Sequence, residues 1–234
     1  MQIPTSKTPV SKCLDLAAYS VRMLTKFPAN ANLAPLAESL QAVAQTLQVA
    51  QTSYAEAVKA ILPTRVDVKY EHFLSDRRIR LTQQKAEVAD GKKGGEIATR
   101  AFPEGAAPIV WLVGVSQVNE MSDLAARLGT LEAAWPDSVS EAQAIAQFRD
   151  AYKSSLAARQ DAGQAANSLR AVRDVAKASF IAKYAEITSR VGKEFPRDTL
   201  MQELFFDDVR SRSTLVEADE PGAIPNTDGE APGT

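Results

Sequence analysis

The sequence predicts an all-α protein: an elongated antiparallel helical bundle of two long, kinked helices with shorter helices beside them. Three observations lead there. Alanine, the best helix former, is plentiful, while glycine is thin between the turns. No stretch alternates apolar and polar residues as a half-buried strand would. Four aromatic residues are each followed directly by proline, at Phe27-Pro28, Phe102-Pro103, Trp135-Pro136 and Phe195-Pro196, and each pair closes a segment with helical apolar spacing. Proline cannot continue a helix and pushes the residue before it out of the α region, so these pairs read as helix stops carrying a large apolar anchor.

The first helix is expected over 9–26, with Thr8 as its N-cap, Pro9 at its first position, and Val10, Leu14, Ala17, Val21 and Leu24 along one face. The second begins near Asn32. Leu36, Leu40, Val43, Leu47, Ala50, Tyr54, Ala57 and Ile61 then follow the four-three spacing of a coiled-coil seam. Pro63 interrupts that spacing. Beyond it Val66, Tyr70, Phe73, Arg77, Leu81, Gln84 and Val88 are expected to carry a weaker stripe to Gly91, a C-terminal cap.

A glycine-rich connection and one helical turn lead to Phe102-Pro103. A compact apolar run over 107–115 follows, containing Ile109, Val110, Trp111, Leu112 and Val113. Ser116 is placed to cap a helix bearing Val118, Met121, Leu124, Leu128 and Leu131, which Trp135-Pro136 stops. Ser138-Val139-Ser140-Glu141 reads as a capping box opening the last long segment. Its stripe runs from Ile145 through Phe148, Tyr152, Leu156, Ala166, Val172, Phe180, Tyr184 and Val191 to Phe195. Asp198 then caps a short amphipathic helix with Leu200, Met201 and Leu204.

Segments 33–91 and 138–195 are nearly equal in length, and as single helices each would span about 85–90 Å at ~1.5 Å per residue. Pro63 and Gly163 fall near their middles, where kinks are expected. The alternative, each segment folded back as a hairpin, lacks turn chemistry at Leu62-Pro63-Thr64-Arg65 and at Gln160-Asp161-Ala162-Gly163. Three regions result: an arm over 1–8, the bundle over 9–212, and a tail over 213–234 expected to be disordered.

Charge is uneven along the chain. Nothing basic follows Arg212, whereas Glu217, Asp219, Glu220, Asp228 and Glu230 do; these five acids exceed the whole net charge of -2 and leave the remainder at +3. The bundle lacks the clustered basic face that nucleic-acid binding requires. A single cysteine, Cys13, excludes an internal disulfide and reads as a small core hydrophobe. The N-terminal residues lack the apolar stretch of a secretory signal, and no segment reaches the ~20 apolar residues of a membrane span, so a cytoplasmic protein is expected.

Catalytic vocabulary is sparse. His72 is the only histidine, which rules out a di-metal carboxylate bundle and structural zinc. Asp76 lies one turn on, within reach of its imidazole, and reads as a surface pair. Gly91-Lys92-Lys93-Gly94-Gly95 lacks the spacing of a phosphate loop and reads as a connection. The arginines of Asp76-Arg77-Arg78-Ile79-Arg80 point to different sides of a helix and read as a solvated face. The run Ile109, Val110, Trp111, Leu112 and Val113 is apolar on every side and needs burial on every side. It is expected to cross the bundle end as an extended plug; otherwise it is a surface for a protein partner or a membrane.

The combination Phe102-Pro103-Glu104-Gly105, Phe195-Pro196-Arg197-Asp198 and Phe205-Phe206 resembles a group of uncharacterised bacterial long-helix bundle proteins. Those carry F-P-x-G between their helical halves and F-P-x-D ahead of a terminal F-F. The resemblance spans residues 33–209; it implies helical architecture and brings no activity and no functional residues. The expectation is therefore a non-enzymatic structural or protein-interaction protein without cofactor or metal, taking a protein partner or a second copy of itself. The alternative is a membrane-active protein that inserts 107–115. The surroundings of Phe102 and Phe195 are where a working surface is expected.

Overall fold

The computed structural model describes residues 2–209; Met1 and residues 210–234, with the acidic tail read from the sequence, lie outside the described residues. Seven α-helices and no strand occur among the described residues: α1 (Val10–Leu24), α2 (Leu33–Ala89), α3 (Glu96–Ala101), α4 (Ala107–Val110), α5 (Val115–Gly129), α6 (Ser138–Glu194) and α7 (Thr199–Leu204). The two long segments are single helices of 57 residues each, not hairpins. Pro63 lies inside α2, where its ring removes one amide donor, and the Thr64 hydroxyl donates to the Ile61 carbonyl beside it at 2.8 Å.

The chain divides into two compact units, one formed by 1–59 with the segment from 164 onward, the other by 60–163. The divisions fall beside Pro63 and at Gly163, the two positions expected to weaken the long helices. In each unit the N-terminal half of one long helix packs with the C-terminal half of the other, so the pairing is antiparallel.

Unit 1 contains α1, the first half of α2, the second half of α6, and α7. Its core takes Leu36, Leu40, Leu47 and Ala50 from the predicted seam, with Phe180, Tyr184, Ile187 and Val191 opposite and Cys13, Leu16 and Leu24 of α1 across both. Burial pushes the Cys13 thiol up to about 11 and the Tyr184 phenol up to about 12, so both stay neutral in the core. Two of the aromatic–proline stops meet here on one ring. Phe205 is fully buried, with Phe27 at 5.0 Å and Phe195 stacked at 5.4 Å between centroids. Asp198 caps α7 as predicted, accepting from the Met201 amide at 2.9 Å.

Unit 2 takes the second half of α2, then α3, α4 and α5, and the first half of α6. Its core joins Ile79 and Ala86 to Phe102, Ile109, Val110, Met121, Leu124, Leu128, Trp135 and Ile145. The other two stops are buried here, so Phe102 and Phe195 belong to different units. Asp90, at the end of α2, turns back to accept from the amides of Ile97 and Ala98 at 3.0 and 2.8 Å, fixing the start of α3. A Cβ on Gly95 would lie 2.3 Å from the Asp90 carboxyl carbon, so this turn requires glycine.

Several local expectations are corrected. Thr8 does not cap α1; its hydroxyl accepts from the Thr5 amide at 2.9 Å, and Pro9 occupies the cap position. Gly114, at φ 64°, takes the cap position of α5 in place of Ser116. The capping box at Ser138 does not close: the Ser138 hydroxyl is buried without a hydrogen-bond partner, and Glu141 is engaged by α2. Val172 is exposed, and Arg173 takes the inward position with its guanidinium 4.5 Å above the Tyr54 ring. The apolar run begins as one turn of helix, α4, instead of an extended plug.

Phe205→Ala removes the ring that joins the two stops of unit 1 and is expected to cost about 3–5 kcal/mol. Leu200→Ala, on the exposed side of α7, should stay within about 0.5 kcal/mol. Urea unfolding followed by circular dichroism on both variants measures the difference; equal midpoints would refute the role given to Phe205.

Candidate functional site

Unit 2 carries an unusual face on α2. At about 100° per residue, Ser75, Ile79, Thr82 and Ala86 fall within one narrow arc, and all four are buried. The stripe predicted to continue the seam lies on the opposite side. Leu62, Val66, Tyr70 and Phe73 are 58–62% exposed, and Leu81 and Val88 are exposed along the same arc. This half of the helix therefore buries a face containing serine and threonine and turns its largest apolar side chains outward. Lys69, Arg77 and Arg80, all exposed, fall within that arc, and no acid between Leu62 and Leu81 does.

The buried polar face is used by Glu141. This side chain of α6 is buried, and its carboxylate accepts from the Arg78 guanidinium, from Lys85 at 2.6 Å and from the Thr82 hydroxyl at 2.9 Å. Burial pushes its carboxyl up; the hydrogen bonds from Lys85 and Thr82 and the charges of Arg78 and Lys85 overcome this and hold it below its ordinary range. Thr82 and Arg78 face inward because they meet this carboxylate.

The second feature is the turn that follows α4. Ile109 and Val110 are buried in the unit 2 core, Trp111 is 78% exposed, Leu112 is half-buried, and Val113 and Val115 are exposed. The five residues of the predicted surface are thus divided, two anchoring the turn and the others forming an apolar knuckle. Polar groups fix its backbone. The Leu112 carbonyl accepts from His72 Nε2 at 3.3 Å, and the Gly114 amide donates to the Tyr152 hydroxyl at 2.8 Å. Burial pushes the Tyr152 phenol up, keeping it neutral as this acceptor. Asp76 Oδ1 accepts from Gln117 Nε2 at 2.6 Å, while its other oxygen lies 3.7 Å from His72 Nδ1, beyond hydrogen-bond length. The His72–Asp76 pair is thus a brace for a turn rather than an isolated surface pair. Because Phe73 adjoins His72 and Trp111 adjoins Leu112, the stripe and the knuckle flank one contact.

No group of three or more His, Cys, Asp or Glu side chains that could hold a metal ion occurs among the described residues. Nor is any helix among them long and apolar enough to cross a membrane. The chain matches no protein-family model, no characterised protein and no solved structure. The geometry of the chain itself therefore carries the functional reading.

Sequence reasoning named the knuckle but missed the outward stripe, the Glu141 cluster and the brace from Gln117 and Tyr152. One signal was present: Arg78, Thr82 and Lys85 share a helical face, and a single acid opposite can meet all three.

The depressed carboxyl of Glu141 stabilises unit 2 above its unfolded-state value, and that contribution is lost as pH falls through the lower folded value. Glu141→Gln leaves Arg78 facing an uncharged partner and should cost about 3 kcal/mol at neutral pH. The difference from wild type is expected to shrink toward zero as pH falls through the depressed folded value, below which both chains present a neutral group. Thermal melts across pH test this; a difference constant down to acid pH would refute it.

Proposed function

We propose that the protein is a non-enzymatic helical interaction module, and that unit 2 receives an amphipathic helix of a partner protein along the outward face of α2. The observation that carries this is the reversal of α2: its inward face mixes Ile79 and Ala86 with Thr82, which Glu141 meets, whereas Leu62, Val66, Tyr70 and Phe73 lie open in one stripe. Their spacing of four, four and three is the pattern by which a helix takes another helix into its grooves. Burying four such side chains is worth about 1.5–3 kcal/mol each before the costs of association. Lys69, Arg77 and Arg80 on the same arc favour a partner whose apolar seam is flanked by Glu or Asp. A second copy of this chain is a poorer occupant, because an isologous pairing sets one basic arc against another.

A membrane surface is the second reading, and the knuckle is what favours it. Trp111, Val113 and Val115 present an apolar tip on a braced turn, and a tryptophan at such a tip suits a bilayer interface. In this reading the knuckle inserts and Ile109 and Val110 remain in the core.

Two measurements separate the readings. A synthetic amphipathic helix with a leucine seam and glutamate flanks should bind the full chain, and a lysine-flanked version at least about tenfold more weakly. Tyr70→Glu with Phe73→Glu should abolish binding while helical content is retained, since both side chains are exposed. Equal binding of both peptides, or binding untouched by the double variant, would refute the partner helix. A dimer by analytical ultracentrifugation that these changes dissolve would assign the face to a second copy. For the membrane reading, leakage from anionic liposomes is expected for wild type and lost in Trp111→Asp; negligible leakage from both removes it.

A further inference from the structure

Unit 1 holds a groove of about 1290 Å³, walled by the segment around Ser6–Leu14, by α2 from Gln48 to Lys59, and by α6 from Arg170 to Ala182. It opens at the start of α1, whose later residues Cys13, Leu16 and Leu24 cover the two long helices. The Arg173 guanidinium, 4.5 Å above the Tyr54 ring, sets the register of the two long walls. Because these walls run antiparallel, Lys59 and Arg170 lie toward one end of the groove. Gln48 and Ile181 lie toward the other, together with Val10 and Leu14 of α1. One end is therefore basic and the other apolar. Lys7 and Lys177 stand between them, the Lys177 ammonium held by the Ser6 carbonyl at 2.9 Å.

The charge is not balanced from within. Of the two acids among the lining residues, Asp174 is taken by Arg173 at 2.9 Å, which leaves Glu56 against Lys7, Lys59, Arg170 and Lys177. Gln51 adds a second requirement, because its Oε1 is buried without a hydrogen-bond partner among the described residues. Such an acceptor needs an N–H or O–H donor, which an ionised carboxylate does not bring. We propose that this groove binds an acidic peptide segment of a partner protein, its carboxylates toward the basic end and an apolar side chain against Val10, Leu14 and Ile181. The peptide's main-chain amides supply the donor for Gln51. The size agrees: the α2 wall is about 17 Å long, the reach of about five extended residues. A nucleic acid suits the groove less, since no aromatic side chain is among the described lining residues to stack on a base. The site lies within unit 1 and does not rest on the partner helix proposed for unit 2.

The probe is a short labelled peptide, one leucine followed by alternating glutamate and serine, titrated with the full chain and read by fluorescence anisotropy. It should bind saturably, and a version with glutamine for glutamate about tenfold more weakly. Lys59→Glu with Arg170→Glu, both exposed positions, should weaken binding about tenfold or more while helical content is kept. Gln51→Met leaves every charge in place and should weaken it about threefold or more. Tyr70→Glu with Phe73→Glu should leave it unchanged, which separates this groove from the α2 face of unit 2. Absence of saturable binding, or binding indifferent to the charge reversal, would overturn the proposal. Sensitivity to the reversal without sensitivity to Gln51→Met would overturn it too, by reducing the groove to a site for any polyanion. Loss of binding in the Tyr70→Glu and Phe73→Glu chain would move the peptide to unit 2. A dimer by analytical ultracentrifugation that the charge reversal dissolves would overturn the proposal by giving the groove to a second copy.

Discussion

The antiparallel pairing of α2 with α6 is the contact on which every shorter element is laid, and it imposes a constraint on both helices. Each 57-residue helix must keep one face toward its partner through a residue that ordinarily weakens helices, Pro63 in one and Gly163 in the other. Neither residue breaks its helix, and the boundaries of the two units fall beside them. Each unit then adds its own covering. In unit 1, α1 and α7 close over leucines and aromatics; in unit 2, α3, α4 and α5 close over a mixed face.

The four aromatic–proline pairs acquire a specific meaning from this arrangement. Unit 2 buries the aromatics of two of them, and unit 1 packs those of the other two, half-buried, against its core. In unit 1 both aromatics converge on Phe205, so the ends of α1 and α6 are tied to the segment that follows α7. In unit 2 Phe102 and Trp135 enter the same core, bracketing the segment that bears α4 and α5. A residue that merely stopped a helix could be small and polar. These are large because the chain reverses over a core and the last side chain before the reversal points into it.

Much of the fold was legible because it rests on local rules: the helical class, both long helices, the first-half seam of α2 and the Asp198 cap follow from periodicity, proline and capping chemistry. What was not legible depended on partners distant in sequence. Thr82 and Arg78 are inward because Glu141, far along the chain, meets them there; Glu141 itself looked like half of a local capping box. Arg173 replaces Val172 on the inner face because Tyr54 offers a ring. For the candidate surface, apolarity identified the residues between Ile109 and Val113, but only the structure divides them into anchor and tip. The outward stripe of α2 was misread for the same reason. An apolar stripe predicts burial, and periodicity does not say by what.

The division of the chain has a consequence for how the protein is made. Unit 2 is one continuous segment nested inside unit 1, whose two parts lie at opposite ends of the sequence. During synthesis, residues 60–163 are complete before any of the second half of α6 exists. Phe27 and the leucines of the first seam have only α1 beside them until Phe180, Phe195 and Phe205 emerge. Long-range contacts of this kind are slow to form, and the early half is the part exposed to misassociation while they do. Unit 1 is therefore expected to complete its folding on the ribosome after unit 2, although part of it is made before unit 2.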